Sequence, residues 1–416
     1  MVSISECFSD SYAEARPKFC AAAAAAGGAI GSWLNPKAKG PNGEALYLDT
    51  ARFGAADAAN MLVLIAGTHG VEGHCGSGAE IAWLCNGGPA KLPRDTGALL
   101  IHAINPYGFA WTRRVTEDNV DLNRNFVDHD KAYPKNLGYE ALAAAILPRN
   151  WNEESHAETR RAFNAYAQEH GAFSLQGAVT GGQYTHPDGV FFGGHKPGWS
   201  NRTIRAIARQ ELSEARRVGV IDFHTGLGPF GHGELIAATP PDTKSFKRAR
   251  AWYGDEMTSS EEGTSTSAIV VGVMVDSFPQ ELPDAEVTSI AIEYGTYPVV
   301  DVLNAVRADN WLHQRGDLGS PLGKSITREL HVPVIGIGAG PDCDGQILVF
   351  HDLVNLTFTR SAKFVRRFVD ANAILREGIE QYREAVSARS FPGDNESYHL
   401  PADVRAAFEQ IHTHTV

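Results

Sequence analysis

The chain has 416 residues, 43% of them hydrophobic, with 37 basic and 49 acidic side chains and a formal net charge of -12. At roughly 150 residues per domain, this length predicts two or three domains with full hydrophobic cores. Disorder, a collagen-like fibre and a small disulfide scaffold are therefore excluded as classes. The acidic balance also argues against a nucleic-acid partner, because binding to phosphates needs clustered Lys and Arg.

The cysteines and the longest weakly apolar stretch bear on the compartment. Five cysteines without a CxxC pair indicate neither a disulfide framework nor a thiolate metal site, which fits a reducing compartment. The uncharged stretch at residues 19–36 is mostly Ala and Gly, too weakly apolar to span a membrane. We interpret its first part as the end of an N-terminal helix, stopped by Gly27 and Gly28. A cytoplasmic protein without a membrane partner is expected.

Apolar runs and helical patterns alternate along most of the chain. Four runs predict buried strands, at residues 61–66, 98–105, 218–224 and 287–295. Helical patterns lie between them, at residues 77–85, 153–170 and 201–216. This alternation predicts an α/β fold with a sheet covered on both faces. Because such sheets bind ligands beyond the carboxyl ends of their strands, the polar residues just after each apolar run are the candidates for a site.

The sequence changes in character after Gly319. Two apolar runs at residues 332–337 and 346–350, joined by a Gly-rich loop, predict two further strands. Apolar residues then recur at helical spacing, at Phe364, Phe368, Leu375, Ile379, Tyr382 and Val386. This periodicity predicts an amphipathic helix whose apolar face packs on a core.

Three residues at predicted strand ends could hold a metal ion. His69 and Glu72 lie three residues apart after the first strand, and His224 ends the third. Hydrolytic zinc needs three protein ligands of this N and O type and one open position. The alternative is that each histidine is a hydrogen-bonded loop residue, but the shared position at strand ends favours a site. His102, within an apolar strand, is expected to be a core histidine.

Zinc hydrolysis also needs a general base and a cation for the developing oxyanion. Glu293 follows an apolar run, where a buried carboxylate must be paired, protonated or functional, so it is the candidate base. Arg113, Arg114 and Arg124 could hold an oxyanion and a substrate carboxylate in bidentate fashion. The alternative is a surface ion-pair cluster with the acidic side chains of the same stretch.

Four segments together resemble the zinc carboxypeptidase superfamily: GTHGVEG at 67–73, NPYGFAWTRRVTEDNVDLNRNF at 105–126, DFHTG at 222–226 and IEYGT at 292–296. The resemblance is to an uncharacterised bacterial branch with the short loops of succinylglutamate desuccinylase and aspartoacylase. It covers most of residues 7–319, with the motifs in the family's order. It implies a three-layer α/β/α fold with a mixed sheet.

The resemblance also implies catalytic roles. His69, Glu72 and His224 would bind Zn²⁺, and Glu293 would be the general base. Arg114 matches the arginine that polarises the scissile carbonyl. The implied enzyme is a metallo-carboxypeptidase-like hydrolase that cleaves an amide bond next to a free carboxylate.

Further residues match the substrate-binding part of the family's motif. Asn123 and Arg124 match the pair that holds the terminal carboxylate of the substrate, which would be a small peptide or an N-acyl amino acid. Asp121 matches the aspartate that orients the first zinc histidine and fixes its tautomer. The family's mobile tyrosine has no secure counterpart, and Tyr294 and Tyr297, which lie near the base, are left unassigned.

Residues from about 321 to 391 are similar to another enzyme family. The segments VPVIGIGAGPDCDGQILVFHDL, KFVRRFVDANAILREGIEQYREAV and SFPG resemble the C-terminal part of ketopantoate hydroxymethyltransferase, a (β/α)8-barrel enzyme of pantothenate synthesis. Only the last two barrel strands and the terminal helices are covered, which predicts a partial barrel fragment. That family's magnesium-binding aspartates and base lie on earlier strands and have no counterpart in residues 1–319. The transferase activity is the alternative function, expected to be absent because the barrel is incomplete.

The two resemblances predict a hydrolase domain at residues 1–319 and a transferase-like fragment at residues 320–416. Such a chain is either a gene fusion or a chimeric gene model. The amphipathic helix and open strand edges of the fragment could also make a homo-oligomer.

Overall fold

The computed structural model describes residues 4–330, 335–336, 345–346, 371–397, 401 and 404–405. The chain divides into two compact units, Met1–Leu330 and His331–Val416. Within the described residues, no helix is both long and apolar enough to cross a lipid bilayer. The predicted domain boundary between residues 319 and 320 remains a prediction.

The first unit is built on a mixed sheet of seven strands, in the order β1-β2-β4-β3-β5-β7-β6. The strands are β1 Ala29–Lys39, β2 Ala45–Phe53, β3 Asn60–Ile65, β4 Thr96–His102, β5 Arg217–Gly226, β6 Gly233–Ala237 and β7 Glu286–Gly295. Strands β4, β3, β5 and β7 are parallel neighbours, while β1, β2 and β6 pair antiparallel at the two edges. The mixed α/β fold is confirmed, and the four parallel strands are the four predicted from the apolar runs.

Eleven α-helices in the described part of the first unit connect and cover these strands. They are α1 Tyr12–Ala25, α2 Gly73–Cys85, α3 Pro106–Ala110, α4 Leu137–Ile146, α5 Glu153–His170, α6 Ala172–Thr180, α7 Trp199–Leu212, α8 Lys244–Tyr253, α9 Ser277–Glu281, α10 Val299–Arg315 and α11 Pro321–Leu330. Helix α1 ends before Gly27 and Gly28, as expected. Helix α2 begins at Gly73, one turn before the predicted start, because a 3₁₀ turn over Gly70–Glu72 leads directly into it.

Helices pack on both faces of the sheet, so the unit has three layers. On one face, α7 and α9 contribute Ile204, Ile207, Leu212 and Phe278 to a core that contains Val63, Leu99 and Val220 of the sheet. On the other face, α1 and α2 contribute Phe19, Ala23, Ile81 and Leu84 against Leu64, Leu100 and Phe223. Side chains of successive strand residues alternate between these two cores.

His102 is a core histidine, as predicted. It is fully buried, its ring stacks on Phe19 with centroids 4.4 Å apart, and its Nε2 lies 2.9 Å from Ser77 Oγ. Burial lowers the pKa of His102 to about 4. The ring is therefore neutral at physiological pH and belongs to the packing of α1 and α2 on the sheet.

In the second unit the described elements are short strands β8 Ile335–Gly336 and β9 Gly345–Gln346, which pair in parallel, helix α12 Ala371–Ser387 and a 3₁₀ turn over Asp394–Glu396. The predicted helix face is present in part, and Leu375, Ile379 and Tyr382 on it are exposed. The predicted positions Phe364 and Phe368, and the rest of the two predicted strands, lie outside the described residues. The partial barrel stays a prediction.

The carboxyl ends of the parallel strands β3, β5 and β7 lie side by side, with Ile65 opposite Asp222 and His224 opposite Glu293. The segment at residues 272–275 packs close to this edge. Gly272 has a φ of 83°, its carbonyl accepts a hydrogen bond of 3.1 Å from the Phe126 amide, and a Cβ there would lie 2.7 Å from the Arg124 carbonyl oxygen. A side chain at position 272 would push this segment off its neighbour.

We expect Gly272→Ala to lower the free energy of unfolding by about 2–4 kcal/mol, because it adds overpacking to the cost of a left-handed backbone. Gly263→Ala is the matched control. Gly263 also has a positive φ, 68°, but no atom lies within 4 Å of the added Cβ, so only about 1 kcal/mol should be lost. Urea unfolding of both variants measures the difference. Equal losses would contradict the close packing at position 272.

Candidate active site

His69 and Glu72 follow β3 directly. The 3₁₀ turn over Gly70–Glu72 brings the two side chains together, with His69 Nδ1 2.8 Å from Glu72 Oε1. His224, near the end of β5, places its own Nδ1 2.8 Å from Glu72 Oε2. The two imidazole rings have centroids 5.0 Å apart, and all three side chains are buried. The three predicted metal ligands therefore lie together.

Each imidazole is backed by a second carboxylate. Asp121 Oδ1 lies 3.3 Å from His69 Nε2, as expected from the sequence, and Asp222 Oδ2 lies 2.7 Å from His224 Nε2. Both rings therefore turn Nδ1 inward and Nε2 toward an aspartate. Such outer carboxylates fix the tautomer and orientation of metal-binding histidines.

Asp222 was not predicted from the sequence, although a signal was present. It lies two residues before His224 on the same strand, and strand residues two apart share one face. Its other oxygen, Oδ1, accepts a hydrogen bond of 2.8 Å from Thr68 Oγ1. One buried carboxylate thus connects β5 with the residue before His69.

Electrostatic interactions within this group favour an ionised Glu72 and a positive charge beside it. Burial raises the pKa of Glu72, but the adjacent His69 and His224 imidazoles outweigh it and leave that pKa below its ordinary value. For His224, burial lowers the pKa, and the Asp222 and Glu72 carboxylates outweigh that effect and raise it well above the usual value. A buried carboxylate between two imidazoles provides the charge that a cation would complement.

The donor set fits zinc. In the part of the chain that the structure describes, one ligand atom from each of His69, Glu72 and His224 lies within 4.8 Å of the others. Two imidazole nitrogens and one carboxylate oxygen are the ligand types of catalytic zinc sites, which leave a fourth position open. The buried Nδ1 atoms face the same carboxylate, so no rearrangement of the strands is needed to bring three donors to one ion.

Glu293 lies beside this group on β7, opposite His224 in the strand register. Its Oε1 accepts a hydrogen bond of 2.9 Å from the Leu227 amide. Burial, followed by the negative charge of Glu72, raises the pKa of Glu293 above its ordinary value. A carboxylate with a raised pKa takes up a proton more readily than a free one, which suits a general base.

The two tyrosines near Glu293 differ in position. Tyr294 follows Glu293 on the strand and packs with the core on the opposite face of the sheet, beside Phe223. Tyr297 is 45% exposed. Neither lines the cavity into which Glu293 and the candidate metal ligands open.

Arg114 joins the group directly. Its Nε donates to Asp121 Oδ2 at 2.9 Å and its Nη1 donates to Glu72 Oε1 at 3.3 Å. Its Nη2 lies 2.8 Å from His69 Nε2. Because Asp121 is fully buried, this is not the surface ion-pair cluster that the sequence left open. Arg113 points elsewhere and donates to Asp309 Oδ2 at 3.1 Å.

Asn123 and Arg124 are buried in the adjoining 3₁₀ turn, Leu122–Arg124. Asn123 Oδ1 accepts a hydrogen bond of 2.9 Å from the Met274 amide. Arg124 donates through Nη1 to the Asn123 carbonyl at 2.9 Å and through Nη2 to the Thr180 carbonyl at 2.5 Å. Its buried Nε has no hydrogen-bond partner among the described residues. Burial lowers the pKa of Arg124, with Asp121 opposing that effect.

These side chains open into one cavity of about 300 Å³. Its lining includes all three candidate metal ligands, Glu293, Arg114, Asn123 and Arg124. Asp121 lies behind them and is not part of the lining. The structure therefore brings the predicted metal ligands, Glu293, Arg114, Asn123 and Arg124 to one cavity and places Asp121 behind His69, whereas Arg113 does not reach the cavity.

Two family models match the chain. The family described as "Protein of unknown function (DUF2817)" matches residues 8–331, and the family described as "Ketopantoate hydroxymethyltransferase" matches residues 318–394. Both resemblances expected from the sequence are confirmed. The two matches overlap over residues 318–331.

Curated relatives match the second segment. The 3-methyl-2-oxobutanoate hydroxymethyltransferase of Koribacter versatilis is 54% identical over 86 residues, which cover 21% of this chain and 29% of that protein. The enzyme of the same name from a Methylobacterium species is 53% identical over 88 residues, covering 21% of this chain and 31% of that protein. The chain thus spans less than a third of the length of these relatives.

Solved structures similar to this chain include three of hydrolase type. Carboxypeptidase A from Helicoverpa armigera is 12% identical, covers 77% of this chain and 73% of its own, and has a TM-score of 0.39. An aspartoacylase family protein from Mesorhizobium loti is 17% identical over 70% and 67% of the chains, with a TM-score of 0.33. A murein-tripeptide amidase from Escherichia coli O157 is 18% identical over 70% and 95%, with a TM-score of 0.33.

We expect Asp222→Ala to weaken zinc binding about 10- to 100-fold, because His224 loses the carboxylate that orients its ring. Competition with a chelator of known affinity measures the change. Asp188→Ala is the control, since Asp188 pairs with Arg315 at the surface, with an N–O distance of 2.9 Å. If Asp222→Ala folds and binds zinc as tightly as the control does, the orienting role is wrong.

Proposed function

We propose that this chain, which belongs to the DUF2817 family of proteins of unknown function, is a zinc-dependent hydrolase that cleaves an amide bond next to a free carboxylate. Its substrates would be small peptides, as for a carboxypeptidase, or N-acyl amino acids. The observation that carries the proposal is the convergence of two imidazole Nδ1 atoms on Glu72, beside Glu293 and Arg114 in one cavity.

His69, Glu72 and His224 would hold the ion. Zinc bound there supplies Lewis acidity that activates water and polarises a carbonyl oxygen. The protein supplies the rest of the chemistry. Asp121 and Asp222 hold the two rings with Nδ1 inward, and the burial of all three ligand side chains strengthens every charge interaction at this place.

Glu293 would serve as the general base and then as the general acid. It takes a proton from the attacking water while the water oxygen forms a bond to the carbonyl carbon. When the carbon–nitrogen bond breaks, Glu293 delivers that proton to the leaving amine. The products are a carboxylate and a protonated amine: the water oxygen ends in the carboxylate, and both water protons end on the amine. The raised pKa of Glu293 suits both halves of this transfer.

The arginines would handle the negative charges of substrate and transition state. Arg114 carries a fixed positive charge at the edge of the cavity and would stabilise the oxygen of the tetrahedral intermediate. Arg124 has a buried Nε without a partner among the described residues, which suits a substrate carboxylate beside the neighbouring Asn123. A carboxylate held there places the adjacent amide near Glu293, so binding and catalysis would depend on the same geometry.

We expect the purified protein to contain about one zinc ion per chain, and Glu293→Gln to lower kcat by about 10²- to 10⁴-fold while zinc content is unchanged. Metal analysis and a hydrolase assay on peptides and N-acyl amino acids measure both. Glu234→Gln is the matched control: Glu234 lies opposite Glu293 on β6, but Thr258 and Thr266 donate to its carboxylate. Its activity should stay near that of the wild type.

Two results would contradict the proposal. A folded preparation that neither contains zinc nor takes it up would remove the metal centre. Full activity in Glu293→Gln would leave the metal but remove the assigned base.

The transferase-like segment raises a second candidate activity. We propose that residues 320–416 are a fragment without hydroxymethyltransferase activity, because the chain spans only 29–31% of the length of the relatives that carry that name. The described part of this segment contains α11, two short strands, helix α12 and a 3₁₀ turn over Asp394–Glu396. A role in homo-oligomerisation and a cytoplasmic location stay proposals.

The intact chain tests this directly. With 2-oxoisovalerate, methylenetetrahydrofolate and magnesium, we expect no ketopantoate above the enzyme-free background, because an incomplete barrel lacks the strands that bear the metal ligands and base. An intact hydroxymethyltransferase is the positive control. Formation of ketopantoate by the chain would overturn the assignment.

A further inference from the structure

We propose that the substrate's carboxylate-bearing amino acid has an apolar side chain, which occupies the part of the cavity walled by β6, β7 and residues 268–275. This proposal rests on the proposed function and names its substrate class. The enzyme would then prefer substrates that end in residues such as Leu, Val or Phe over substrates that end in Asp, Glu, Lys or Arg.

The first wall lies on the same sheet face as the catalytic groups. Ala291 is two residues from Glu293 on β7, so its side chain points the same way, about 6.6 Å along the strand. Ile236 on β6 is the register partner of Ala291, and both line the cavity. The wall next to the proposed base therefore consists of one small and one branched aliphatic side chain.

The second wall is the segment that packs on the proposed carboxylate-binding pair. The Met274 amide donates to Asn123 Oδ1 at 2.9 Å, and Gly272 lies against the Arg124 carbonyl. The cavity-lining residues of this segment are Ala268, Ile269, Val270, Val273 and Val275. Because this wall adjoins Asn123 and Arg124, the side chain of a residue whose carboxylate they hold would face it.

Most ionisable side chains that line the cavity belong to the candidate metal and catalytic groups, and several are already paired with one another. Its ionisable side chains are His69, Glu72, Arg114, Arg124, Asp222, His224, Glu261 and Glu293. Asp222 pairs with His224 and Thr68, and Arg114 pairs with Asp121. The remaining polar lining is neutral, mainly Ser and Thr. A charged substrate side chain would lose its hydration without gaining an ionic partner at these walls.

Glu261 is the charged lining residue outside these groups, and it could favour a substrate with a basic side chain. It lines the cavity but is solvent-exposed. Ionic interactions at an exposed position are weak. We therefore expect Glu261 to contribute little to the choice of substrate, and a preference for Lys or Arg would show the opposite.

The test is a panel of acetyl-Ala-X dipeptides and acetyl-X amino acids that differ only in the C-terminal residue X. We expect kcat/KM to be at least about 100-fold higher for Leu, Val or Phe than for Asp or Lys, which corresponds to roughly 2.7 kcal/mol. Glu261→Gln should leave this ranking unchanged. A ranking led by Asp or Lys would overturn the proposal.

Two variants on one strand test the wall itself. Ala291→Leu fills the space beside Ile236, so kcat/KM for Phe should fall at least about tenfold relative to that for Ala. Ser289→Ala is the matched control, because Ser289 lies on the same face of β7, two residues further on, and does not line the cavity. It should keep the wild-type ranking. The same ranking in both variants would overturn the assignment of this wall.

Failure of this proposal can be told apart from failure of the proposed function. If kcat/KM were highest for substrates with a charged C-terminal residue, the zinc hydrolase would stand and only the apolar pocket would be overturned. Both proposals would be overturned if folded, zinc-loaded protein hydrolysed no member of the panel and no product amino acid slowed the removal of its zinc by a chelator.

Discussion

The carboxylate of Glu72 is the interaction on which the candidate site depends. Each of its oxygens lies 2.8 Å from the Nδ1 of a different imidazole, and the two histidines come from segments far apart in the chain. A buried carboxylate is costly unless it is paired, so the turn after β3 and the end of β5 must be held in one arrangement. The parallel pairing of β3 with β5, which sets Ile65 opposite Asp222, provides that arrangement.

Asp121 extends this constraint to the substrate-binding residues. Its Oδ1 faces His69 Nε2 and also accepts a hydrogen bond of 2.9 Å from the Asn123 amide, while its Oδ2 accepts from Arg114 Nε. Burial raises the pKa of Asp121, but Arg114 and Arg124 outweigh burial and hold that pKa well below the usual value. One ionised carboxylate therefore sets the positions of a metal-ligand candidate, the oxyanion cation and the carboxylate-binding turn together. Such shared partners make the residues act as a unit, so the effects of mutating them should not be additive.

The sequence predicted the parts of the structure whose signal is local. Four parallel strands read as apolar runs because they are buried on both faces, and the site residues follow them directly. The antiparallel strands β1, β2 and β6 were not predicted: β1 is largely exposed and holds Asn, Pro and two Lys, β2 has Asp, Thr and Arg among its apolar residues, and β6 has only five residues. Asp222 was missed because it lies inside an apolar run, and its role follows from its contacts with Thr68 after β3 and with His224 on its own strand. The walls at residues 268–275 could not be read from the sequence, since they reach the site through tertiary packing on Asn123 and Arg124.

The candidate site and the transferase-like segment occupy different parts of the chain. All the candidate site residues lie between positions 69 and 293, within the first compact unit. The two family matches overlap over residues 318–331, a stretch that contains α11. Ile326 of that helix is buried in a cluster with Leu147, Trp311 and Leu312. A hydrophobic cluster of the first unit thus includes a residue from the stretch that also matches the transferase family. If the two family segments were joined within this helix, the core of the first unit would stay closed as long as position 326 held an apolar side chain of similar size. Packing in a core depends on the size and polarity of a side chain, not on the family from which the segment comes.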